Sequence, residues 1–183
     1  MGVYSIIDAR ADHSLFIVSN DFNVFSTVKE RTYNKVELLP NKANLNELYT
    51  TYKIINKWMG RIYIFKIHGS FEHTYKEDVK IQLQYKGKFS KSAPSFTSNN
   101  ETIASIFNNN KEIMRVCEGI DFEKLEIVYS ARENKWSFEI WPNYGDFIWM
   151  LIPPMRYMRR PNVEEVKMTS EIIDKIRTTI TKL

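Results

Sequence analysis

The chain has 183 residues, of which 43% are hydrophobic and 14% aromatic, a composition that supports one domain with a real hydrophobic core and excludes wholesale disorder. The net charge of +4 is small, so it gives only a weak indication of an anionic partner. The single cysteine, Cys117, excludes an intramolecular disulfide, and the longest apolar run is far too short to span a bilayer.

The same properties predict where the protein is found. A single thiol fits a reducing compartment. Residues 1–14 lack the basic region followed by a long apolar run that marks a signal peptide. We therefore expect a cytoplasmic protein without a membrane span.

The amino-terminal part of the chain is predicted to contain strands followed by a helix. Short apolar runs indicate the strands. They are residues 15–18, 22–28 and 33–39. Next, Asn44 and Glu47 have the spacing of a helix capping box. Apolar residues then recur at steps of three and four, which predicts an amphipathic helix over 45–59.

Two further strands and a loop complete the first half. Residues 61–68 are largely apolar on both faces, as expected for a strand at the centre of a sheet. Residues 79–85 alternate between apolar and polar side chains, so one face should pack on the core. Residues 86–88 are expected to turn the chain back. The serine- and asparagine-rich residues 92–100 are predicted to be a loop and a candidate subdomain boundary.

The second half is predicted to contain a helix, three strands and a final helix. The first helix covers 103–118, and the asparagines at 108–110 can divide it in two. The strands are residues 125–130, 136–141 and 147–152, of which the first two should form an antiparallel pair. Pro153 and Pro154 end the third strand because prolines donate no backbone hydrogen bond. The final amphipathic helix covers 163–183.

Together these elements predict a single domain, 1–183, of the α+β class. We expect mainly antiparallel strands in one curved sheet or two adjoining sheets, with about three amphipathic helices packed on one side. The predicted core residues are Val79, Ile81, Leu83, Trp136, Phe138, Ile140 and Trp149.

Two adjacent segments are candidates for a binding surface. The loop of residues 141–146 is unusually aromatic, and residues 155–160 interleave arginines with a tyrosine. Arginine, tyrosine and methionine are enriched at the cores of protein interfaces. The predicted binding residues are Trp141, Asn143, Tyr144, Arg156, Tyr157, Arg159 and Arg160. The alternative is structural: a loop folded back over the core and a linker whose arginines pair with Glu164 and Glu165.

Two binding functions follow from this surface. The leading hypothesis is a non-catalytic cytoplasmic binding or accessory protein that engages a protein partner. The alternative is nucleic-acid binding, in which the three arginines contact phosphates and Tyr157 stacks on a base. Lysines would extend that surface, namely Lys80, Lys86, Lys88 and Lys91. No cofactor is expected, and the oligomeric state stays open.

An enzymatic function has less support in the sequence. The chain contains no phosphate-cradling glycine-rich loop, no dinucleotide fingerprint and no nucleophile elbow. An enzyme would depend on His68, Glu72 and His73, the only clustered groups able to transfer protons near neutral pH or to start a metal site. No metal site is expected, because His68 and His73 would point to opposite faces of a continuous strand.

The other candidate catalytic residues have structural explanations. Cys117 lies on the apolar face of a predicted helix, which is typical of a buried and unreactive thiol. Glu126 and Glu139 could in principle act as a pair of acids and bases. Both alternate with apolar residues along their strands, so we expect them on the solvated face of the sheet.

Overall fold

The structure, a computed structural model, describes residues 3–41, 43–86 and 92–183. Within these ranges the chain forms four helices and ten strands. The helices are α1 (Val3–Asn20), α2 (Glu101–Asn109), α3 (Lys111–Gly119) and α4 (Val163–Ile180). The strands are β1 (Ser26–Thr32), β2 (Lys35–Pro40), β3 (Glu47–Lys57), β4 (Gly60–Glu72), β5 (Val79–Lys86), β6 (Ser92–Ser98), β7 (Phe122–Ser130), β8 (Lys135–Pro142), β9 (Phe147–Met150) and β10 (Met155–Met158). No helix in the described ranges is long and apolar enough to cross a membrane.

The strands form one antiparallel sheet, which confirms the predicted α+β class. The main strand order is β1-β2-β3-β4-β8-β7-β5-β6. Along one edge, β4 has two partners in succession: residues 67–72 pair with β8, and residues 60–63 pair with β9. β10 pairs with β9, so these two strands form a hairpin that extends the sheet beside β8.

Alternating side chains give the sheet two different faces. Along β8, Trp136, Phe138 and Ile140 are buried, whereas Ser137 points the other way and is exposed. The buried side chains of the helices join these inward strand residues in one hydrophobic core. In the described ranges the helices pack on this inward face, and we call the opposite side of the sheet the open face.

Most of the predicted strands and the final helix are confirmed. β2, β4, β5, β7, β8 and β9 overlap the predicted runs, and α4 begins at residue 163. The predicted helix over 103–118 is divided at Asn110, whose side chain accepts hydrogen bonds from the amides of Glu112 and Ile113 and so caps α3. The predicted core residues are buried, except that Leu83 and Trp149 are partly buried against the core.

The predicted helix over 45–59 is wrong, because this segment is strand β3. Its residues Leu48, Thr50 and Tyr52 are buried at intervals of two, and their neighbours point outwards. A spacing of four, such as that between Leu48 and Tyr52, fits both a helix face and a strand face. The β-branched and aromatic residues of the segment favour the strand, which pairs with β2 and β4. Glu47 therefore caps no helix; its carboxylate accepts hydrogen bonds from Ser70 and Lys135.

The amino-terminal prediction also needs correction. Residues 15–18 are not a strand but the last part of α1, which raises the number of helices to four. The stripe that packs on the core is Ile7, Ala11, Leu15 and Val18, with steps of three and four. A run of four apolar residues does not by itself separate a strand from a buried helix. The next strand begins only at Ser26, after turns over residues 21–25.

The predicted loop over 92–100 contains strand β6, which pairs with β5 at the edge of the sheet. Proline is tolerated on an edge strand, where an unused N–H faces away from the sheet, and β6 contains Pro94. Phe96 points inwards and its ring contacts that of Phe107 on α2. The segment is thus joined to both the sheet and the helices. The predicted turn at Lys86–Lys88 lies largely outside the described residues, as do Lys88 and Lys91.

Candidate functional site

The predicted aromatic loop is divided between the interior and the open face. Tyr144 is only 1% exposed, and its hydroxyl shares a hydrogen bond with Thr169 of α4. Asn143 is exposed, and Trp141 lies partly buried on the open face. The loop therefore folds back over the core at Tyr144, and only its two other predicted binding residues reach the surface.

The predicted arginines are also separated from one another. Arg159 makes two hydrogen bonds to the carboxylate of Glu165, and Arg160 binds Asp21 at the end of α1. Arg156 lies over the ring of Phe147, 5.9 Å from its centroid. Tyr157 is exposed beside it on β10. Two of the three arginines thus hold α4 and α1 in place, whereas Arg156 and Tyr157 stay accessible.

Large exposed apolar side chains gather at one corner of the molecule. The turn between β3 and β4 contacts the turn of the β9–β10 hairpin, because the amide of Leu151 donates to the carbonyl of Met59 at 2.8 Å. We call this corner the apolar tip. Its exposed members are Trp58 (90%), Ile152 (63%), Leu151 (49%), Tyr157 (47%) and Met155 (44%).

The apolar tip has a basic margin. Residues 53–63 and 147–160, which build the tip and its supporting strands, contain no aspartate or glutamate. Arg61 is engaged by Asp8 of α1. Lys57 and Arg156 are exposed and form no ion pair with a described residue. The tip therefore offers apolar side chains together with unopposed positive charge.

A second feature is a row of polar side chains that crosses the open face. Strand register places its members on neighbouring strands at one level of the sheet. In order they are Glu37, Tyr49, His68, Glu139, Glu126 and Gln82. The rings of Tyr49 and His68 stack with their centroids 5.0 Å apart. His68 Nε2 lies 3.2 Å from the carboxylate of Glu139.

Lysines neutralise the two neighbouring carboxylates in the middle of this row. Lys124 Nζ lies 3.2 Å from Glu126 and 2.9 Å from Glu139, so one ammonium group bridges the pair. Lys66 binds Glu139 at 3.2 Å. The indole of Trp141 donates to Glu139 at 2.7 Å. Glu126 and Glu139 lie on the open face as expected, but they are largely shielded from water, with side chains 18% and 19% exposed.

The four middle members of the open-face row, Tyr49, His68, Glu139 and Glu126, line a shallow cup of about 350 Å³. Burial lowers the pKa of His68 and outweighs the opposite effect of Glu139, so the imidazole is neutral at neutral pH. A neutral imidazole in a polar cup can accept a proton. Here, however, its nearest acidic group is an ionised carboxylate that is already bound by two lysines. In this arrangement the lysines neutralise the carboxylates of Glu126 and Glu139 within the sheet.

The three residues proposed for an enzyme do not converge. His68 belongs to the open-face row, whereas Glu72 accepts a hydrogen bond from Asn46 at the end of β4. His73 follows the strand, and its carbonyl accepts from the indole of Trp136. In the part of the chain that the structure describes, no group of three or more potential ligands is placed to hold a metal ion. Burial raises the pKa of Cys117 to about 12, so its thiol stays protonated.

The comparisons with known proteins concern the family rather than the function. A model of a protein family of unknown function, DUF3156, matches residues 20–180. The chain belongs to this family. No curated protein and no solved structure matches the chain significantly. The residues that match the DUF3156 model include the whole apolar tip and the open-face row, whereas most of α1 precedes them.

Sequence reasoning missed the residues that make the tip unusual. Trp58 falls within the range of the predicted helix over 45–59, although the structure places it with Met59 in the turn between β3 and β4. Ile152 was placed at the end of a strand, but it lies in the hairpin turn. A useful signal was available in residues 151–154, where two large apolar residues precede two prolines, since prolines at that spacing are typical of a turn. Apolar residues in turns are candidates for exposure.

Proposed function

We propose that this DUF3156 member is a non-catalytic cytoplasmic binding protein that holds a partner protein at its apolar tip. The observation that carries the proposal is the concentration of exposed apolar side chains there, with Trp58 90% exposed. Contiguous exposed apolar patches are uncommon on monomeric proteins and mark interaction surfaces. Trp58, Tyr157 and Met155 are also of the residue types enriched at interface cores.

The charges around the tip define the chemistry of the partner. Lys57 and Arg156 flank the apolar side chains, and the segments that build the tip contain no carboxylate. A complementary surface has an apolar pocket for Trp58 and an acidic margin, because opposite charges across an interface favour association and suppress wrong partners. We infer that such a partner buries Trp58 as a central anchor.

Two other observations support the non-catalytic and cytoplasmic parts of the proposal. His68, Glu72 and His73 make separate contacts, so these groups suited to proton transfer are not gathered around one point. The thiol of Cys117 is buried and protonated, in keeping with a chain that uses no disulfide. These observations favour binding over catalysis.

The test is site-specific cross-linking followed by measurement with the purified partner. A photoreactive amino acid at position 58 should give a discrete protein adduct in cells of the source organism, and the same group at Val24, which is exposed elsewhere, should not. The identified partner should then bind the purified wild-type protein. The double variant Trp58→Ser with Ile152→Ser should weaken that binding by about a thousandfold, since two hot-spot residues at about 2 kcal/mol each contribute about 4 kcal/mol together.

Stability and lipid controls make this test decisive. The double variant should keep the thermal unfolding midpoint of the wild type, because both side chains are exposed. The proposal fails if position 58 gives no adduct beyond the Val24 control, or if the variant binds the partner as tightly as wild type. Adducts with lipid alone, together with co-flotation on phosphatidylglycerol vesicles, would instead assign the tip to a membrane surface.

Nucleic-acid binding is the second candidate, favoured by the exposed pair of Arg156 and Tyr157 on β10. It ranks lower because Arg159 and Arg160 already bind carboxylates. Fluorescence anisotropy with single-stranded oligonucleotides tests it, and Arg156→Ala should reduce the salt dependence by about one counterion per lost contact. Absence of binding in low salt would remove this candidate.

A further inference from the structure

A groove runs between α1 and the edge strand β10. Its volume is about 530 Å³, and its lining is mainly apolar. One wall is a flank of α1, and the other is formed by two side chains of β10. The α1 wall includes Ile6, Ala9, Arg10 and His13, and the β10 wall consists of Arg156 and Met158.

The helix α1 has three distinct flanks, and only one faces the groove. Its core stripe includes Leu15, which is fully buried. A second flank carries Asp8 and Asp12, which pair with Arg61 and Arg31. The groove flank lies on the remaining side. Neither Asp8 nor Asp12 lines the groove, because their carboxylates are bound by Arg61 and Arg31.

The strand β10 has an unpaired edge beside this groove. It pairs with β9 along one side, and no hydrogen bond joins its other side to a described residue. The other edge strands are protected in recognised ways: β1 carries Lys29, Glu30 and Arg31, and β6 contains Pro94. β10 has no proline and a single charged side chain, Arg156. Its exposed backbone is therefore suited to pair with one more strand.

The dimensions of the groove fit a short extended segment. The α1 wall runs from Ser5 to Ile17, twelve residues apart, which corresponds to about 18 Å of helix. An extended chain rises about 3.3 Å per residue, so about five residues of a strand match that length. Alternate side chains of such a strand would point into the groove, towards Ile6, Ala9 and Met158.

The charges in the groove identify the kind of segment. Arg10 and Arg156 line it, His13 follows Arg10 by three residues along α1, and the groove has no acidic lining residue. Arg10 and Arg156 are both exposed, so they can contact a ligand without first breaking an ion pair with a described residue. Arginine binds carboxylates with directed, often paired hydrogen bonds. Acidic side chains therefore complement this site.

We propose that an extended acidic segment of the partner adds to the free edge of β10 and lays alternate side chains into the groove against α1. This inference rests on the proposed function, since the tip and the groove share the β9–β10 hairpin and would be covered by the same partner. Backbone hydrogen bonds to β10 supply affinity, and Arg10 with Arg156 selects acidic side chains.

The test uses two libraries of eight-residue peptides with the full-length protein. One library alternates glutamate or aspartate with valine, isoleucine or leucine; the other has lysine in place of the acids. Peptides of the acidic library should bind at least about tenfold more tightly than the lysine peptides. Hydrogen exchange with a bound acidic peptide should slow at alternate amides of Met155–Met158 and leave β1 and β6 unchanged.

Charge-reversal variants provide the matched control. Arg10→Glu and Arg156→Glu should each weaken binding of the acidic peptides by about tenfold or more. Arg132→Glu changes the same charge at an exposed position in the β7–β8 turn and should have no effect. Equal binding of both libraries, no binding of the acidic library, insensitivity to Arg10→Glu, or exchange protection away from β10 would each overturn the inference. Cross-linking at position 58 would still succeed in that case, which separates this failure from failure of the proposed function.

Discussion

At the scale of single residues, Glu139 shows how the sheet accommodates charge. It lies directly opposite Glu126 on the neighbouring strand, an arrangement that destabilises a sheet when both carboxylates are ionised and isolated. Burial raises the pKa of Glu139, but hydrogen bonds from Lys124 and Lys66 outweigh that effect and hold the pKa at about 2. The lysines thus turn a repulsive pair into part of a bound network.

This geometry predicts the effect of replacing Glu139. A carboxylate whose folded-state pKa lies below its ordinary value of 4.5 stabilises the fold above that pH, and the stabilisation is lost as the pH falls towards 2. Glu139→Gln should lower the free energy of unfolding at pH 7 by about 2–3 kcal/mol, with a much smaller difference near pH 2. Urea unfolding across this pH range measures it.

An exposed glutamate in a turn, Glu133, supplies the control for that measurement. Glu133→Gln removes the same charge in the exposed β7–β8 turn and should change stability little. If Glu139→Gln were as stable as wild type at pH 7, the lysine network would contribute nothing beyond an ordinary surface ion pair.

At the scale of elements, the loop between β8 and β9 closes a gap in the sheet. β4 pairs with β8 from residue 67 onwards and with β9 up to residue 63, which leaves the intervening part of its edge without a strand partner. Asp146 fills part of this gap, since its carboxylate accepts a hydrogen bond from the amide of Phe65 at 2.8 Å. Burial raises the pKa of Asp146 to about 6 despite this hydrogen bond.

Asp146 therefore predicts a substitution that stabilises the protein. Because its folded-state pKa is raised from 3.8, the protonated form favours the fold below pH 3.8, and this contribution is lost as the pH rises through about 6. Asp146→Asn keeps the acceptor oxygen and removes the charge. The free energy of unfolding at pH 7 should rise by about 1–3 kcal/mol, with little difference at pH 4.

Denaturant unfolding of the two proteins at both pH values measures this effect. Asp146→Ala, which removes the acceptor and leaves the Phe65 amide without its partner, should destabilise the protein and thus separates the hydrogen bond from the charge. A neutral or destabilising Asp146→Asn at pH 7 would show that the carboxylate is better solvated than its burial indicates.

At the scale of the whole molecule, the two halves of the chain share one sheet. β4 from the first half pairs with β8 from the second, and β5 pairs with β7. The segment 92–100, a candidate boundary from its composition, contributes an edge strand to the same sheet. Strands from both halves also contribute to one core.

This interleaving predicts a single cooperative unfolding transition, as expected for one domain. Calorimetry should give a ratio of calorimetric to van't Hoff enthalpy of about 1. Circular dichroism and tryptophan fluorescence should report the same midpoint. Two transitions, or stable fragments after proteolysis between residues 92 and 100, would instead indicate separate subdomains.

The sequence by itself determined the elements whose period is unambiguous. The alternation in β5 and β8 and the steps of three and four in α4 are local properties, so the α+β class and much of the core could be predicted. The tertiary structure decided β3, because a spacing of four between Leu48 and Tyr52 fits a helix or a strand until β2 and β4 supply hydrogen bonds on both sides.

The candidate sites depended on tertiary structure even more strongly. The sequence predicts that Arg160 is a binding residue, but in the structure it is paired with Asp21, 139 residues away along the chain. Tyr144 can be buried in the core because its hydroxyl forms a hydrogen bond with Thr169 of α4. Trp58 is 90% exposed in a turn that a hydrogen bond from Leu151 to Met59 joins to a turn far away in the sequence. Side-chain exposure and pairing depend on which remote segments pack together, and local sequence patterns do not contain that information.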